Sequence, residues 1–259
     1  MKDGATLPLL LKELRLPTMS RQWKELAQQA SDKGWSPVRY LATLCDYELA
    51  ERESRRLSRR MTESQLPRGK SLEAYDFKLV PSLKKSQVMG LASGDVWIQD
   101  GMNLLIFGPS GVGKTHLAAG IGEKLVERGF RVLFTRTTEL LQRLQVAKRD
   151  LILPAFLDKL DRYDCLILDD FGYVKKSEME TNLLFELICE RYERRSLLIT
   201  CNQPFQEWDQ IFEDTRMAIA AVDRLVHHAT VLDVAAESYR KRSAKTRLKK
   251  EKKEKQTLN

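Results

Sequence analysis

The sequence predicts an α/β fold in which a parallel sheet flanked by helices follows a small all-helical N-terminal domain. Short apolar runs alternate with helical segments from about residue 71 onward, and such alternation produces parallel βαβ units. Nearer the N-terminus, apolar residues such as Leu7, Leu11 and Leu14 recur at helical spacing instead. A glycine-rich loop at 108–115 joins the first apolar run to a helix. Together these observations place one α/β domain after one helical domain.

The predicted strands are five apolar runs. The run from Cys165 to Leu168 is apolar throughout, which is typical of a strand covered on both faces. Helical patterns occupy the intervals between the first four runs. The predicted strands cover 103–107, 131–135, 165–168, 197–200 and 231–234, and the predicted helices cover 115–128, 138–146 and 177–194.

The chain is predicted to divide into three segments. The helical domain is predicted at 1–66, where Ser36 and Pro37 form a typical capping and first-turn pair at a helix start. The α/β domain is predicted at 67–238, beginning with a Pro-Arg-Gly-Lys linker. Residues 239–259 are predicted to be a disordered basic tail.

Arginines are dense between residues 52 and 60, where the helical domain ends. Either they contact phosphate groups, or they form a solvated helix face with the interleaved Glu48, Glu51 and Glu53. The sequence leaves both interpretations open.

Composition is that of a folded protein, with 42% apolar and 31% charged residues. The N-terminus has no signal-peptide pattern, and no apolar run approaches the ~20 residues that span a bilayer. The four cysteines are scattered without metal-binding spacing. We therefore expect reduced thiols in a cytoplasmic protein without membrane contact.

The net charge is +8, from 44 Lys and Arg against 36 Asp and Glu. This excess favours a polyanionic partner such as nucleic acid. Most of it lies between Arg240 and Lys255, so the tail either contacts nucleic acid or only aids solubility.

The loop from Gly108 to Thr115 matches the phosphate-binding pattern G-x-x-x-x-G-K-[ST] at every fixed position. Its glycines let backbone N–H groups converge on phosphate oxygens, and the following helix presents its positive end to them. Lys114 is expected to reach the β- and γ-phosphates, and the Thr115 hydroxyl is expected to bind Mg²⁺. The sequence therefore predicts an ATP site with Mg²⁺. The other predicted nucleotide-binding residues are Pro109, Ser110, Gly111, Val112 and Gly113.

Two acids follow the third predicted strand. Asp169 is expected to hold Mg²⁺ through water, and Asp170 is expected to orient or deprotonate an attacking water. An apolar strand that ends in an acid is a weak pattern alone, but it is stronger downstream of a phosphate-binding loop. The second acid favours a hydrolytic ATPase over a small-molecule kinase.

Asn202 and Arg224 are two further candidate catalytic residues. Asn202 follows the fourth strand, and the carboxyl ends of parallel strands line the ligand crevice. It either contacts the γ-phosphate or water, or only starts the turn before Pro204. Arg224 either forms a surface pair with Asp223 or acts as an arginine finger on the ATP of a neighbouring subunit. His227 and His228 are adjacent, and on a helix they would point apart, so no shared metal is predicted.

This set of motifs resembles the AAA+ initiator and helicase-loader clade. The resemblance rests on the phosphate-binding loop, Leu-Asp-Asp-Phe-Gly at 168–172, Thr-Cys-Asn-Gln at 200–203 and Asp-Arg-Leu at 223–225. Within the clade it is strongest to the IstB family, the ATPase helpers of insertion-sequence transposition. The DnaC helicase loaders are near relatives.

The resemblance implies an AAA+ domain with Asn202 as sensor I and Arg224 as a finger acting across a subunit interface. It implies homo-oligomers that carry ATP at their interfaces, bind and bend duplex DNA, and recruit a transposase of the IstA type. The N-terminal domain would serve partner contact and self-association. In the clade a helical insertion contacts DNA, and the corresponding candidates are Arg143, Lys148 and Arg149.

Two departures from the AAA+ pattern stand out. Asp170 replaces the glutamate of many AAA+ proteins, so hydrolysis is expected to be slow, or ATP acts only as a structural switch. The short segment after the fifth strand leaves little or no C-terminal lid, and no sensor II residue is assigned. A DnaC-like helicase loader remains the main alternative, and a P-loop small-molecule kinase is the alternative from another class.

Overall fold

The computed structural model describes residues 6–94, 96–172, 176–204, 207–208 and 215–236. It divides into two compact units, Met1–Arg59 and Arg60–Asn259. The basic tail predicted at 239–259 lies outside the described residues. Within the described part of the chain, no helix has the length and apolarity needed to cross a membrane. The domain division predicted from the sequence stays a prediction.

The first unit is built from helices that carry a proline in their first turn. Proline lies in the first turn of α1 and α2, where its missing N–H costs nothing. At the start of α3, the backbone N–H of Arg39 donates to Ser36 Oγ at 3.3 Å, which confirms the predicted helix start. The three helices are Leu7–Glu13 (α1), Pro17–Asp32 (α2) and Pro37–Glu63 (α3).

Glu48 of α3 is buried and is not part of a solvated helix face. Its carboxylate accepts the backbone N–H groups of Thr18 and Met19 at 2.8 and 3.1 Å, and Arg52 pairs with it at 3.0 Å. Burial pushes the pKa of Glu48 upward, but the Met19 and Thr18 hydrogen bonds and Arg52 outweigh it and lower that pKa. The carboxylate thus caps α2. The apolar core beside it consists of Leu11, Met19, Leu26 and Leu44.

The second unit contains a five-stranded parallel sheet in the order β2-β3-β4-β1-β5. Each strand is short, and β1, β3 and β4 are buried along their whole length. The sheet confirms the predicted α/β class. Its strands are Asn103–Phe107 (β1), Val132–Arg136 (β2), Cys165–Asp169 (β3), Ser196–Cys201 (β4) and Ala229–Asp233 (β5).

Helices cover both faces of the sheet. One face carries α5, whose Gly122 leaves room for the side chain of Ile167 on β3. The other face packs against α6 to α9, through apolar side chains that include Leu105, Leu166 and Ile199. The helices of this unit are Lys85–Ser93 (α4), Lys114–Glu127 (α5), Thr137–Arg149 (α6), Leu153–Asp161 (α7), Glu178–Arg191 (α8) and Thr215–His227 (α9), with a 3₁₀ turn at Phe77–Leu79.

The strand order places three loops at one edge of the sheet. The phosphate-binding loop follows β1, Asp169 ends β3, and Asn202 follows β4. Because β4 lies between β1 and β3, its last residues sit between the loop and Asp169. A parallel sheet brings all three strand ends to the same crevice.

Arg191, the last residue of α8, holds the opposite edge of the sheet together. Its guanidinium is 1% exposed and donates to the carbonyls of Leu160, Tyr163 and Ser196 at 2.9 to 3.0 Å. Burial lowers the pKa of Arg191 to about 10. These hydrogen bonds tie the end of α7 and the loop before β3 to the start of β4.

Replacing Arg191 with leucine should lower the free energy of unfolding by about 3 kcal/mol, because three buried carbonyls lose their donor. Urea unfolding followed by circular dichroism measures the change. Arg194→Ala is the matched control, since its side chain is 58% exposed and its loss should cost at most about 0.5 kcal/mol. Equal effects in the two variants would contradict the role assigned to Arg191.

Candidate nucleotide site

The phosphate-binding loop requires glycine at its first position. Gly108 has φ 145°, and a Cβ atom there would lie 2.4 Å from the carbonyl oxygen of Val234. Gly113 has φ 104° and leads directly into α5. The loop therefore packs closely against the chain after β5 and turns abruptly into a helix N-terminus, where backbone N–H groups can bind an anion.

Lys114 lies over this loop. Its side chain is nearly buried, and its Nζ donates to the carbonyl oxygens of Gly108 and Pro109 at 2.7 and 2.9 Å. The ammonium group is thus held beside the backbone N–H groups of the loop. Both are suited to a polyphosphate, and neither suits a neutral ligand.

Asp169 is the most connected acid of the site. It is 3% exposed, and its carboxylate accepts the Thr115 hydroxyl at 3.0 and 3.1 Å and the Thr200 hydroxyl at 2.6 Å. The Thr137 hydroxyl donates to its backbone carbonyl at 3.0 Å. Burial raises the pKa of Asp169, and the neighbouring Asp170 adds to this, while the two threonines oppose it.

This hydroxyl–carboxylate pair fits Mg²⁺. Thr115 Oγ1 and both oxygens of Asp169 are hard oxygen donors, and they already lie within hydrogen-bonding distance of one another. A buried carboxylate without a bound cation is costly, and a divalent cation would offset that cost. The two residues predicted as metal ligands are therefore brought together by α5 and β3.

Asp170 and Asn202 both line the pocket beside the loop. Asp170 is exposed and has φ 56°, a conformation that residues other than glycine rarely adopt. Its backbone N–H donates to Thr200 Oγ1 at 3.0 Å, and the next N–H, of Phe171, donates to the Thr200 carbonyl at 2.9 Å. Thr200 therefore sets the position of both acids, a role that no local sequence pattern predicted.

Tyr75 is a pocket residue that no sequence motif predicted. Its ring lies beside Gly113 and meets His116 edge-on with ring centroids 5.3 Å apart. Its hydroxyl is buried and has no hydrogen-bond partner within the described part of the chain, and burial raises the pKa of Tyr75 to about 12. An orphaned donor in this position fits a polar ligand in the pocket.

The pocket itself has a volume of about 500 Å³. One part of its lining is the phosphate-binding loop with the first turn of α5, and a second part is the segment before α4, which includes Lys70, Asp76 and Val80. The size suits a nucleotide. No local sequence pattern identified this second part.

Arg224 lies at the other end of the sheet. The backbone of the next residue on α9, Leu225, is fixed to the first residue of β1, because Asn103 Nδ2 donates to the Leu225 carbonyl at 3.1 Å. The five residues of β1, roughly 13 Å, separate this edge from the phosphate-binding loop. The Arg224 guanidinium stacks on Phe185 at 5.2 Å and donates to the Ala220 carbonyl at 3.0 Å. It does not contribute to the pocket of its own chain.

The candidate DNA contacts Arg143, Lys148 and Arg149 are exposed on α6. Arg149 pairs with Asp150 at 2.9 Å. All three lie outside the nucleotide pocket. Their role in DNA contact stays a prediction.

The expectation that His227 and His228 point apart is wrong. Because α9 ends at His227, His228 lies in the following turn, and the two ring centroids are 4.0 Å apart. Both rings approach Glu193. The expected separation holds only inside a helix, and His228 lies beyond the helix end.

The chain is similar to proteins of a known family. A family model described as IstB-like ATP binding protein matches residues 9–247. An insertion-sequence ATP-binding protein of Sinorhizobium fredii is 54% identical over 242 residues, covering 93% of this chain and 81% of that protein. The IS21 ATP-binding protein of Pseudomonas aeruginosa is 36% identical over 234 residues, covering 90% and 88% of the two chains.

Solved structures show the same fold. The DnaC helicase loader superposes with a TM-score of 0.53 and 22% identity, covering 65% of this chain and 98% of that one. AMPPCP-bound DnaA from Aquifex aeolicus superposes with a TM-score of 0.56 and 19% identity, covering 72% and 56%. At these identities the similarity establishes an AAA+-like fold and nothing further.

Asp169→Asn should raise the thermal stability of the nucleotide-free protein while it weakens Mg²⁺-dependent nucleotide binding. The pKa of Asp169 is raised in the folded chain, so the ionised carboxylate lowers stability at neutral pH, and this penalty disappears as pH falls. We expect Tm to rise by about 2 °C. Differential scanning calorimetry with and without Mg·ATP tests both parts. A lower Tm in the absence of nucleotide would show that the carboxylate is needed for folding.

Proposed function

Because the chain belongs to the IstB-like ATP binding protein family, we propose that it is a DNA-dependent AAA+ ATPase that assists transposition. In this proposal it oligomerises with ATP on duplex DNA, remodels that DNA, and recruits and stimulates a transposase of the IstA type. The observation that supports it best is the convergence of the phosphate-binding loop, Asp169, Asp170 and Asn202 at one edge of the sheet.

ATP would supply the polyphosphate, and Mg²⁺, when bound, would neutralise the charge that develops on it. The residues that would hold the ion are Thr115 and Asp169, and Lys114 would bind the terminal phosphates. Asp170 would orient or deprotonate the attacking water, and Asn202 would contact that water or the γ-phosphate. Tyr75, whose ring lines the pocket beside Gly113 and whose hydroxyl is orphaned, would contact the nucleotide.

Asp170 is expected to make ATP hydrolysis slow. Aspartate is one methylene shorter than the glutamate of many AAA+ proteins, so its carboxylate reaches less far. Thr200 holds the Asp170 backbone in an uncommon conformation, which fixes the direction of this short side chain. We infer that DNA, the transposase or oligomerisation accelerates turnover by completing the site.

Arg224 is proposed to complete the site of a neighbouring subunit. Within its own chain the guanidinium packs on Phe185 of α8 and does not line the nucleotide pocket. It can therefore act on ATP only in trans, as an arginine finger does. The site would then be functional only in an oligomer with head-to-tail interfaces.

DNA contact is proposed to be electrostatic and largely independent of sequence. Arg143, Lys148 and Arg149 are exposed cations on one helix, and the sequence shows no motif that reads bases. The basic tail at 239–259 would add phosphate contacts. Preference for a target would then come from how easily the DNA deforms.

A DnaC-like helicase loader is the second candidate, favoured by the fold match over nearly the whole DnaC chain. It predicts the same ATP site but a replicative helicase as partner. Affinity capture with purified transposase and purified helicase, each with ATP and DNA, decides between them. Binding to the helicase alone would favour the loader.

Lys114→Ala should abolish ATP-dependent assembly on duplex DNA, because the terminal phosphates lose their main cation. Analytical ultracentrifugation with labelled DNA and ATP measures the assembly. Lys85→Ala, an exposed lysine on α4, is the control and should assemble normally. Assembly of Lys114→Ala at wild-type concentrations would refute the proposal that ATP drives it.

Arg224→Ala should leave ATP binding intact and lower DNA-stimulated phosphate release by up to roughly 10³-fold. ATP affinity is measured by calorimetry and turnover by phosphate release. Arg162→Ala, an exposed arginine after α7, should keep normal turnover. Wild-type turnover of Arg224→Ala would mean that this side chain only packs on Phe185.

A further inference from the structure

We propose that Glu193, His227 and His228 form a binding site for a zinc-like divalent cation, far from the nucleotide pocket. His227 Nδ1 and His228 Nε2 lie 3.9 and 3.3 Å from the same oxygen of Glu193, Oε1. The three ligand atoms all lie within 4.8 Å of one another. Ligand atoms at about 2.0–2.2 Å from a tetrahedral zinc ion lie about 3.3–3.6 Å apart, so small side-chain movements suffice.

Both turns that carry these side chains are fixed by backbone contacts. The backbone of Glu193 has φ 56°, and a Cβ added to Gly101 would lie 2.8 Å from its carbonyl carbon. The carbonyl of His228 accepts the backbone N–H of Asn103 at 3.0 Å. The start of β1 therefore positions the backbone of both turns, which limits the entropy cost of bringing the three ligands together.

The side chains are also accessible. Those of Glu193, His227 and His228 are 54%, 53% and 47% exposed, so an ion can enter from solvent. The Tyr192 hydroxyl hydrogen-bonds to His227 Nδ1 at 2.7 Å, and a bound ion would replace that hydrogen bond. Three protein ligands leave a fourth position for water or for a ligand from a partner.

The donor set selects the class of cation. Two imidazole nitrogens and one carboxylate oxygen suit Zn²⁺ and neighbouring transition metals, whereas Mg²⁺ and Ca²⁺ prefer oxygen ligands throughout. This site is therefore distinct in chemistry from the Thr115–Asp169 pair. It would link the turn after α8 to the end of α9, three residues from Arg224.

The test uses untagged full-length protein without nucleotide, with ZnCl₂ or EDTA. Zinc at roughly ten times its Kd should raise Tm by about 4 °C, and Mg²⁺ should not. Equilibrium dialysis should find one zinc ion bound per wild-type chain. Glu193→Gln and the double variant His227→Ala/His228→Ala should lose both effects while keeping a wild-type Tm in EDTA.

Two controls separate this site from other zinc ligands. Cys189→Ser removes a half-buried thiol on α8, and Glu190→Gln removes a nearby exposed carboxylate, and both variants should bind zinc normally. The absence of stoichiometric zinc in the wild-type chain would overturn the proposal. Undiminished zinc binding by the histidine double variant would overturn it as well.

Discussion

The nucleotide site depends on the buried carboxylate of Asp169 and on the hydrogen bonds that it accepts. It ends a buried strand, and hydroxyl groups from α5 and β4 reach it from two sides, through Thr115 and Thr200. Burying an ionised carboxylate is unfavourable, and burial raises its pKa. The fold tolerates this cost because the two threonines donate hydrogen bonds to it. A divalent cation would use the same oxygens, so the acid links the stability of the fold to its function.

The strand order brings the residues around Asp169 together in the nucleotide site. With β4 between β1 and β3, Thr200 contacts both acids at the end of β3 and lies next to the loop after β1. The same sheet holds Arg224 at its far edge, where Asn103 anchors α9. One chain therefore supplies most of an ATP site at one edge, and its candidate finger, Arg224, packs on Phe185 outside that site. Because the ATP site and Arg224 lie apart within one chain, we propose that the oligomer, and not the single chain, hydrolyses ATP.

Local patterns predicted the sheet well, because buried strands and the phosphate-binding loop have strong signatures. They did not reveal α7, although Leu153, Leu157 and Leu160 follow helical spacing. The role of Thr200 was hidden because its partners depend on strand order, which no local pattern encodes. Tyr75 was hidden because the segment before α4 meets the loop only through tertiary packing. The histidine prediction failed because it assumed that α9 continues through residue 228.

Mixing two inactive variants tests the central claim, that each ATP site is completed by a second subunit, most directly. Asp170→Asn lacks the proposed water-orienting acid but keeps Arg224, and Arg224→Ala has the converse defect. Phosphate release is measured on DNA for each variant and for an equimolar mixture. If each ATP site is completed by a second subunit, the mixture should recover about a quarter of wild-type turnover, because random neighbours pair an intact site with an intact finger at about that frequency. Turnover no higher than the average of the two variants would contradict it.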